Sequence, residues 1–279
     1  MQTARLLIAC SDRPGIVAAV SGLLADRGAN IVALDQHSTG QPDGMFFMRL
    51  EFDPPPTGLD EGDFAAVAAR FDMTLSLTPP GRRRRIAVLV SRYDHCLVDL
   101  LWRWRRGELF GDIGLVVSNH EDLRDEAERA GVGFAYLPVT ADTKPRAEQR
   151  MFDLLDGRFD LVVLARYMQI LSGTFLERFG VPIINIHHSF LPAFVGADPY
   201  RQAAERGVKL IGATAHYVTE DLDAGPIIEQ AVQRVHHGHD PDALARIGEE
   251  VERTALARAV QWHLDDRVIR HGQRTVVFS

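Results

Sequence analysis

DLVVLARYMQILSGTFLERFGVPIINIHH, residues 160–188, carries two short apolar runs on either side of a helix-length segment. Residues 160–166 and 182–188 read as strands with almost no polar alternation, and 173–178 between them as a short helix. The same alternation extends upstream: RIAVLVS (85–91), a helix over 94–106, DIGLVVSN (112–119), a charged helix over 121–130, GFAYLPV (133–139) and a helix over 144–156. Strands apolar on both faces, alternating with amphipathic helices, predict a mostly parallel sheet covered by helices on both sides. Ligands on such sheets bind beyond the carboxyl ends of the strands. The polar ends SRYDH, SNHED, ARYMQ and NIHHS are therefore where chemistry is expected.

The first eighty residues follow a different plan. ARLLIAC (4–10) is a strand ended by Ser-Asp-Arg-Pro-Gly, and Ile16, Val17, Val20, Leu23 and Leu24 recur at helical spacing until Gly28. NIVALDQHS (30–38) and MFFMRLEF (45–52) are strands, DFAAVAARF (63–71) a helix and MTLSLT (73–78) a strand. The order βαββαβ is the ferredoxin-like plan. Pro79, Pro80 and Gly81 interrupt the pattern and mark the expected boundary, giving domains 1–80 and 81–279. A chain of 279 residues is long enough for two cores. After residue 188 come GATAHYVTEDLDAGPIIEQ (212–230), read as strand, acidic turn and strand, then a helical segment (241–265) and a terminal strand, RTVVF.

Composition narrows the partners. A formal net charge of −7 argues against a general nucleic-acid binder, which needs a basic surface for phosphates. The run Arg82–Arg85 reads as a solvated linker or strand lead-in. No apolar run reaches the length of a membrane span, and the first residues lack the pattern of a secretory signal. Two cysteines, Cys10 and Cys96, both in apolar surroundings, fit a reducing compartment, so a cytoplasmic location is expected. His236, His237 and His239 invite a metal, but no second ligand cluster supports one; Asp240 reads instead as a helix start.

Asn185 and His187 stand two apart at a strand end, so in extended chain their side chains leave on one face. An amide beside an imidazole suits acyl chemistry: the amide polarises a carbonyl oxygen while the imidazole moves a proton near neutral pH. Both residue types also serve as turn formers at strand ends. His188 is expected on the opposite strand face, in a structural role, and His216 on a strand leading towards the acidic turn. In that turn Glu220, Asp221 and Asp223 compete to orient the histidine. Asp12, Arg13 and Gly15 lie at the first strand-to-helix turn, readable as an effector contact or simply as a helix start.

INIHHSFLPAF with GATAHYVTEDLDAGPII resembles the signature pair of the formyltetrahydrofolate-utilising formyltransferases. The matching positions are Asn185, His187, Ser189, Leu191 and Pro192, then Gly212, Thr214, Leu222, Asp223 and Gly225. The resemblance implies a Rossmann-like formyltransferase domain, with catalytic roles on Asn185, His187 and, among the three acids, Asp223. It places folate contacts at Met168, Gln169, Ile170 and Leu171 and a further substrate contact at Thr214, while the position of His216 on the strand leading to the acidic turn makes it a candidate substrate contact as well. Two departures bear on the acceptor. Ser91–Cys96 lacks the glycines that let backbone N–H groups crowd an acceptor's phosphate, and Gln169 stands where the family has arginine.

The front half, CSDRPGIVAAVSGLLADRGANIVALDQHS, resembles an ACT-type domain, which implies an amino-acid effector near Asp12, Arg13 and Gly15 and pairing into a homo-oligomer. The two halves together are similar to the formyltetrahydrofolate deformylases. That implies hydrolysis of 10-formyltetrahydrofolate, the substrate, to tetrahydrofolate and formate in one-carbon metabolism, with no cofactor. Formyl transfer to an amine and non-catalytic folate or amino-acid sensing are the competing readings.

Overall fold

The computed structural model describes residues 3–40, 44–191 and 199–279. It divides into two compact units, Met1–Arg82 with Asp265–Ser279, and Arg83–Leu264. The matched position Pro192 lies outside the described residues.

In the first unit β1 (Ala4–Ser11), α1 (Ile16–Asp26), β2 (Asn30–Ser38), β3 (Met45–Asp53), α2 (Ala65–Phe71) and β4 (Thr74–Thr78) give the expected βαββαβ order. The sheet order β2-β3-β1-β4, antiparallel throughout, is the ferredoxin-like arrangement. Alternate residues of β1 and the helix face Ile16, Val20 and Leu24 build its core with Phe46, Met48, Leu50 and Phe52. The expected helix over 63–71 begins earlier, as a 3₁₀ turn from Glu61, because Asp60 and Asp63 cap one another reciprocally.

The turn after β1 is tightly committed. Gly15, at the start of α1, has a left-handed φ of 94°, which a side chain would strain. Arg13 donates to Arg70 O at 2.9 Å and lies over the Phe71 ring, and Asp12 accepts a hydrogen bond from the Ser38 hydroxyl.

The chain's end joins this unit and not the second, contrary to the expected 81–279 division. β12 (Val268–His271), which the sequence reading missed, pairs with β13 (Arg274–Val277) around Gly272. Buried Arg49 holds the start of this segment. Its Nε donates to Asp266 O at 3.0 Å and its Nη2 to Asp265 O at 3.1 Å, while Arg5 pairs with Asp266 at 3.2 Å. These bonds satisfy backbone carbonyls that have no ladder partner.

The second unit contains β5 (Arg84–Val90), α3 (His95–Arg105), β6 (Gly111–Ser118), α4 (Arg124–Arg129), β7 (Gly133–Tyr136), α5 (Lys144–Leu155) and β8 (Leu161–Leu164). These are followed by α6 (Gly173–Phe179), β9 (Ile183–His187), α7 (Pro199–Arg206), β10 (Leu210–Tyr217), β11 (Ile227–Arg234) and α8 (Pro241–Leu264). Its sheet runs β11-β10-β9-β8-β5-β6-β7; the five strands from β9 to β7 are parallel, and β10 and β11 are antiparallel additions. β8 and most of β5 are buried on both faces, as their unbroken apolar runs require. The basic run is a strand lead-in: Arg83 bonds Asp112 and Gly111 O, and Arg84 donates to Leu264 O.

Chain order reverses beside β5, where β6 lies on one side and β8 on the other, and a crevice opens beyond the strand ends at such a point. Ser91, just past β5, donates to Asn119 Oδ1 at 2.7 Å and accepts from Met168 N at 3.0 Å, tying three strand ends together. β8 stops at Leu164, two residues short of the expected strand, and Arg166 just beyond it takes a left-handed φ of 61° incompatible with continued pairing.

Replacing Arg49 by Met should loosen the terminal hairpin by about 2 kcal/mol, since carbonyls bonded to a charged donor lose it. Amide exchange in β12 and β13 would then quicken roughly 30-fold. Unchanged exchange there would refute the anchoring role.

Candidate active site

A cleft of about 800 Å³ opens at the strand ends of the second unit. Its walls come from the segment after β5 (Tyr93, His95), the segment after β8 (Arg166–Leu171), the end of β9, the β10–β11 connection and α8. Asn185 and His187 both line it, as their two-residue spacing predicts. β10 runs antiparallel to β9 with His216 opposite Asn185 and Thr214 opposite His187, which brings the acidic turn back over the cleft.

Of the three acids in that turn, Asp223 meets the histidine. His187 Nδ1 lies 3.2 Å from Asp223 Oδ2, and His216 Nε2 lies 3.7 Å from Oδ1. Glu220 and Asp221 are exposed. Asp223 holds a left-handed φ of 55°, and two residues on, a Cβ on Gly225 would fall 1.8 Å from Tyr217 O. The Leu-Asp-x-Gly pattern is thus a backbone requirement that turns one carboxylate inward. Hydrogen bonds from His187, then His216, hold the Asp223 carboxyl well below the usual carboxylate range despite its burial.

That pairing fixes the chemistry of the ring. A carboxylate only accepts, so His187 Nδ1 carries a proton. His187 Nε2 is buried and has no hydrogen-bond partner among the described residues. His216 Nδ1 lies 2.9 Å from Tyr217 O, which also only accepts. The His216 Nε2 lies 3.3 Å from Asn185 Nδ2 as well as 3.7 Å from Asp223 Oδ1, so the ring bridges that amide and the carboxylate.

The expected substrate contacts divide. Met168, Gln169, Ile170, Leu171 and His216 line the cleft, with Met168, Ile170 and Leu222 more than half exposed, an apolar rim of the kind that receives aromatic ligands. Thr214 does not line it. Its fully buried hydroxyl donates to Ser189 O at 2.9 Å and accepts from Leu191 N and Gln230 Nε2, so it anchors the segment after β9. His188 also departs from expectation. β9 ends at His187, so strand alternation no longer applies, and the His188 ring lines the same cleft with its centroid 5.2 Å from that of His187. Burial, then the nearby Arg166 charge, pushes the His188 pKa down to about 4.

A buried polar cluster on the cleft wall went unread in the sequence. Glu252 of α8, 1% exposed, takes His95 Nε2 at 2.8 Å and the Tyr200 hydroxyl at 2.6 Å, with Arg166 Nε 3.4 Å away. Burial works against its charge, but His95, Arg166 and Tyr200 together hold its pKa below the ordinary value. One signal was available. Leu244, Gly248, Glu252, Ala255 and Ala259 share the buried stripe of α8, and an acid in phase with an apolar stripe is rarely accidental. His95, Cys96 and Glu252 are close enough to hold an ion, yet the His95 and Glu252 atoms are spent on hydrogen bonds and burial keeps the Cys96 thiol protonated. In the histidine-rich segment, Nδ1 of His236 and of His239 accept backbone N–H groups, and Asp240 caps α8 through Ala243 N at 2.7 Å.

Comparison with known proteins agrees with this arrangement. Residues 84–260 match the formyl transferase family model and residues 4–67 the ACT domain model. A formyltetrahydrofolate deformylase of Mycobacterium bovis is 56% identical, over 98% of this chain and 90% of that protein. The chain belongs to the formyltetrahydrofolate deformylase family. A second member, from Bacillus subtilis, is 50% identical over 99% of this chain and 93% of its own. The crystal structure of the Pseudomonas syringae deformylase superposes with a TM-score of 0.95 at 47% identity, covering 100% of this chain and 95% of that one. No helix among the described residues is long and apolar enough to cross a membrane.

His188 sets an acid limit on stability. Its folded pKa of about 4 lies below the ordinary 6.5, so its contribution is complete above about 6.5 and lost as pH falls towards 4. His188→Gln should remove that part of the acid sensitivity. Urea unfolding across this pH range would show it, and identical acid profiles for both proteins would refute the assignment.

Proposed function

We propose that this cleft hydrolyses 10-formyltetrahydrofolate to tetrahydrofolate and formate through Asn185, His187 and Asp223. The observation that carries the reading is the state of His187: Nδ1 held by an ionised Asp223, Nε2 buried with no hydrogen-bond partner among the described residues, in the cleft that Asn185 also lines. A ring in that tautomer presents a lone pair to the cleft and acts as general base towards water. Water adds to the formyl carbon as Nε2 takes its proton. Asn185 donates to the formyl oxygen as it becomes an oxyanion. The imidazolium, stabilised by Asp223, returns the proton to the departing folate nitrogen, the C–N bond breaks to give formic acid, and its remaining proton passes to solvent as formate leaves. Water, an amide donor and an imidazole–carboxylate pair account for every proton and charge, so the scheme calls for no cofactor. Met168 to Leu171 offer the folate an apolar rim with backbone polar groups.

Water is favoured over an amine acceptor by the wall at Ser91–Cys96. Tyr93 and His95 side chains line the cleft there, His95 being committed to Glu252, where a phosphate cradle needs bare backbone. The ACT model match supports an effector role for the first unit, with an amino acid as ligand and pairing of copies as that domain type's habit. Arg13 is engaged with Arg70 and Phe71, which leaves Asp12 and the Gly15 turn as the contacts to test. Two free, buried cysteines suit a cytoplasmic setting.

Purified protein given 10-formyltetrahydrofolate and no amine should release formate and tetrahydrofolate in equal amounts. Asn185→Ala should lower turnover by about 10²–10³, and His187→Ala and Asp223→Asn by about 10³–10⁴. Formyl release only on addition of an amine would favour transfer. Protection of the protein by unchanged formylfolate would favour a sensor. Near-wild-type turnover in all three folded variants would overturn the residue assignment.

A further inference from the structure

Arg166 lines the cleft without a role in the proposed reaction, and three independent features single it out. Its side chain is 8% exposed, yet its Nε and Nη1 are buried with no hydrogen-bond partner among the described residues, Glu252 facing Nε only as an ion pair at 3.4 Å. Its backbone sits at a left-handed φ of 61°, a conformation non-glycine residues keep only where surrounding structure imposes it. Its Cζ lies 4.5 Å from the centroid of the Tyr93 ring. A contact of the cation with a ring consumes none of its N–H groups, and those are the groups that bond planar anions.

The surroundings explain why no described residue satisfies it. Glu252 lies 3.4 Å from Nε and balances its charge, but the two Glu252 oxygens already accept from His95 and Tyr200. His188 is neutral at physiological pH, and burial raises the Tyr200 and Cys96 pKa values, keeping both protonated. The net ionic charge of Glu252 and Arg166 is zero, with donors left over. β8 and β9 are parallel, with Leu164 beside Asn185, so the chain carries Arg166 out of the sheet abreast of His187. An anion formed at Asn185 and His187 thus meets unsatisfied donors in the same cleft.

We propose that Arg166 is a carboxylate-binding residue that receives formate as the C–N bond breaks. This rests on the hydrolytic reading for the ligand's origin. The carboxylates of a folate glutamate tail share the chemistry, but a guanidinium nine-tenths buried suits an anion of three heavy atoms. Glu252 keeps the affinity modest, since its charge opposes a second anion beside the guanidinium, and the product can depart.

The test titrates ¹³C-formate into the full-length protein without folate, following line broadening, with p-aminobenzoylglutamate in a parallel arm. Wild type should bind formate saturably. Arg166→Met should weaken it roughly 10–100-fold, the loss of charge-assisted hydrogen bonds. Arg166→Lys, which keeps the charge but not the planar fork, should weaken it less. Glu252→Gln, which retains hydrogen-bonding atoms, should tighten it. Opposite signs for the variants at 166 and at 252 are what a merely structural cluster would not produce. If Arg166→Met fails to fold, the Lys and Gln variants still decide. Unaltered formate binding in the Arg166 variants, weakening in Glu252→Gln, or a response confined to p-aminobenzoylglutamate would overturn the proposal. Formate binding is read without turnover, so absence of hydrolysis would leave this result standing, while normal hydrolysis with no formate binding would overturn this inference alone.

Discussion

The antiparallel pairing of β9 with β10 is the constraint on which the cleft depends. Five parallel strands alone would present Asn185 and His187 at a strand end with nothing across from them. Reversing direction at β10 sets His216 opposite Asn185, and the connection that follows swings Asp223 to within 3.2 Å of His187. A one-residue slip of β10 would carry every side chain of that strand to the other face. Thr214 guards against it. Its buried hydroxyl bonds the segment after β9, so one residue pins the register that His216, two positions on, exploits.

The cleft combines two polar assemblies with different logic. Asn185, His216, Asp223 and His187 form a chain in which each contact settles the tautomer or orientation of the next, ending at one unengaged nitrogen. The other assembly, Glu252 with His95, Tyr200 and Arg166, is a buried ion pair whose acid is satisfied and whose base is not. Buried pairs seldom repay their desolvation in stability. One with spare donors is better understood as a site awaiting an anion than as a fold-stabilising element.

The first unit has its own closing device. Its four-stranded sheet is complete by Thr78, but the unit gains a separate two-stranded hairpin late in the chain, where Arg49 and Arg5 take hold of Asp265 and Asp266. Domain order along the chain is therefore not domain membership in space, and the division at residue 80 captured only the first crossing. The missed strand Val268–His271 is four residues long and polar at one end, too short for periodicity to report.

Local pattern alone determined the strands of the two larger sheets, the strand ends where the cleft opens, and the shared face of Asn185 and His187, because burial period and turn residues are properties of adjacent positions. The same sequence left Glu220, Asp221 and Asp223 equivalent by spacing. A left-handed residue and the close approach of Gly225 to Tyr217 O select between them, and only the folded turn contains that information. Thr214 reads as a site residue in the motif and is a buried anchor in the molecule. His188 reads as an outward neighbour and lines the cleft, because the strand ends one residue before it. Arg166 and Glu252 stand far apart in the chain and draw their meaning from being 3.4 Å apart in a buried wall. A charge is stabilised or left wanting by what surrounds it in three dimensions, and sequence periodicity reports only which face is buried.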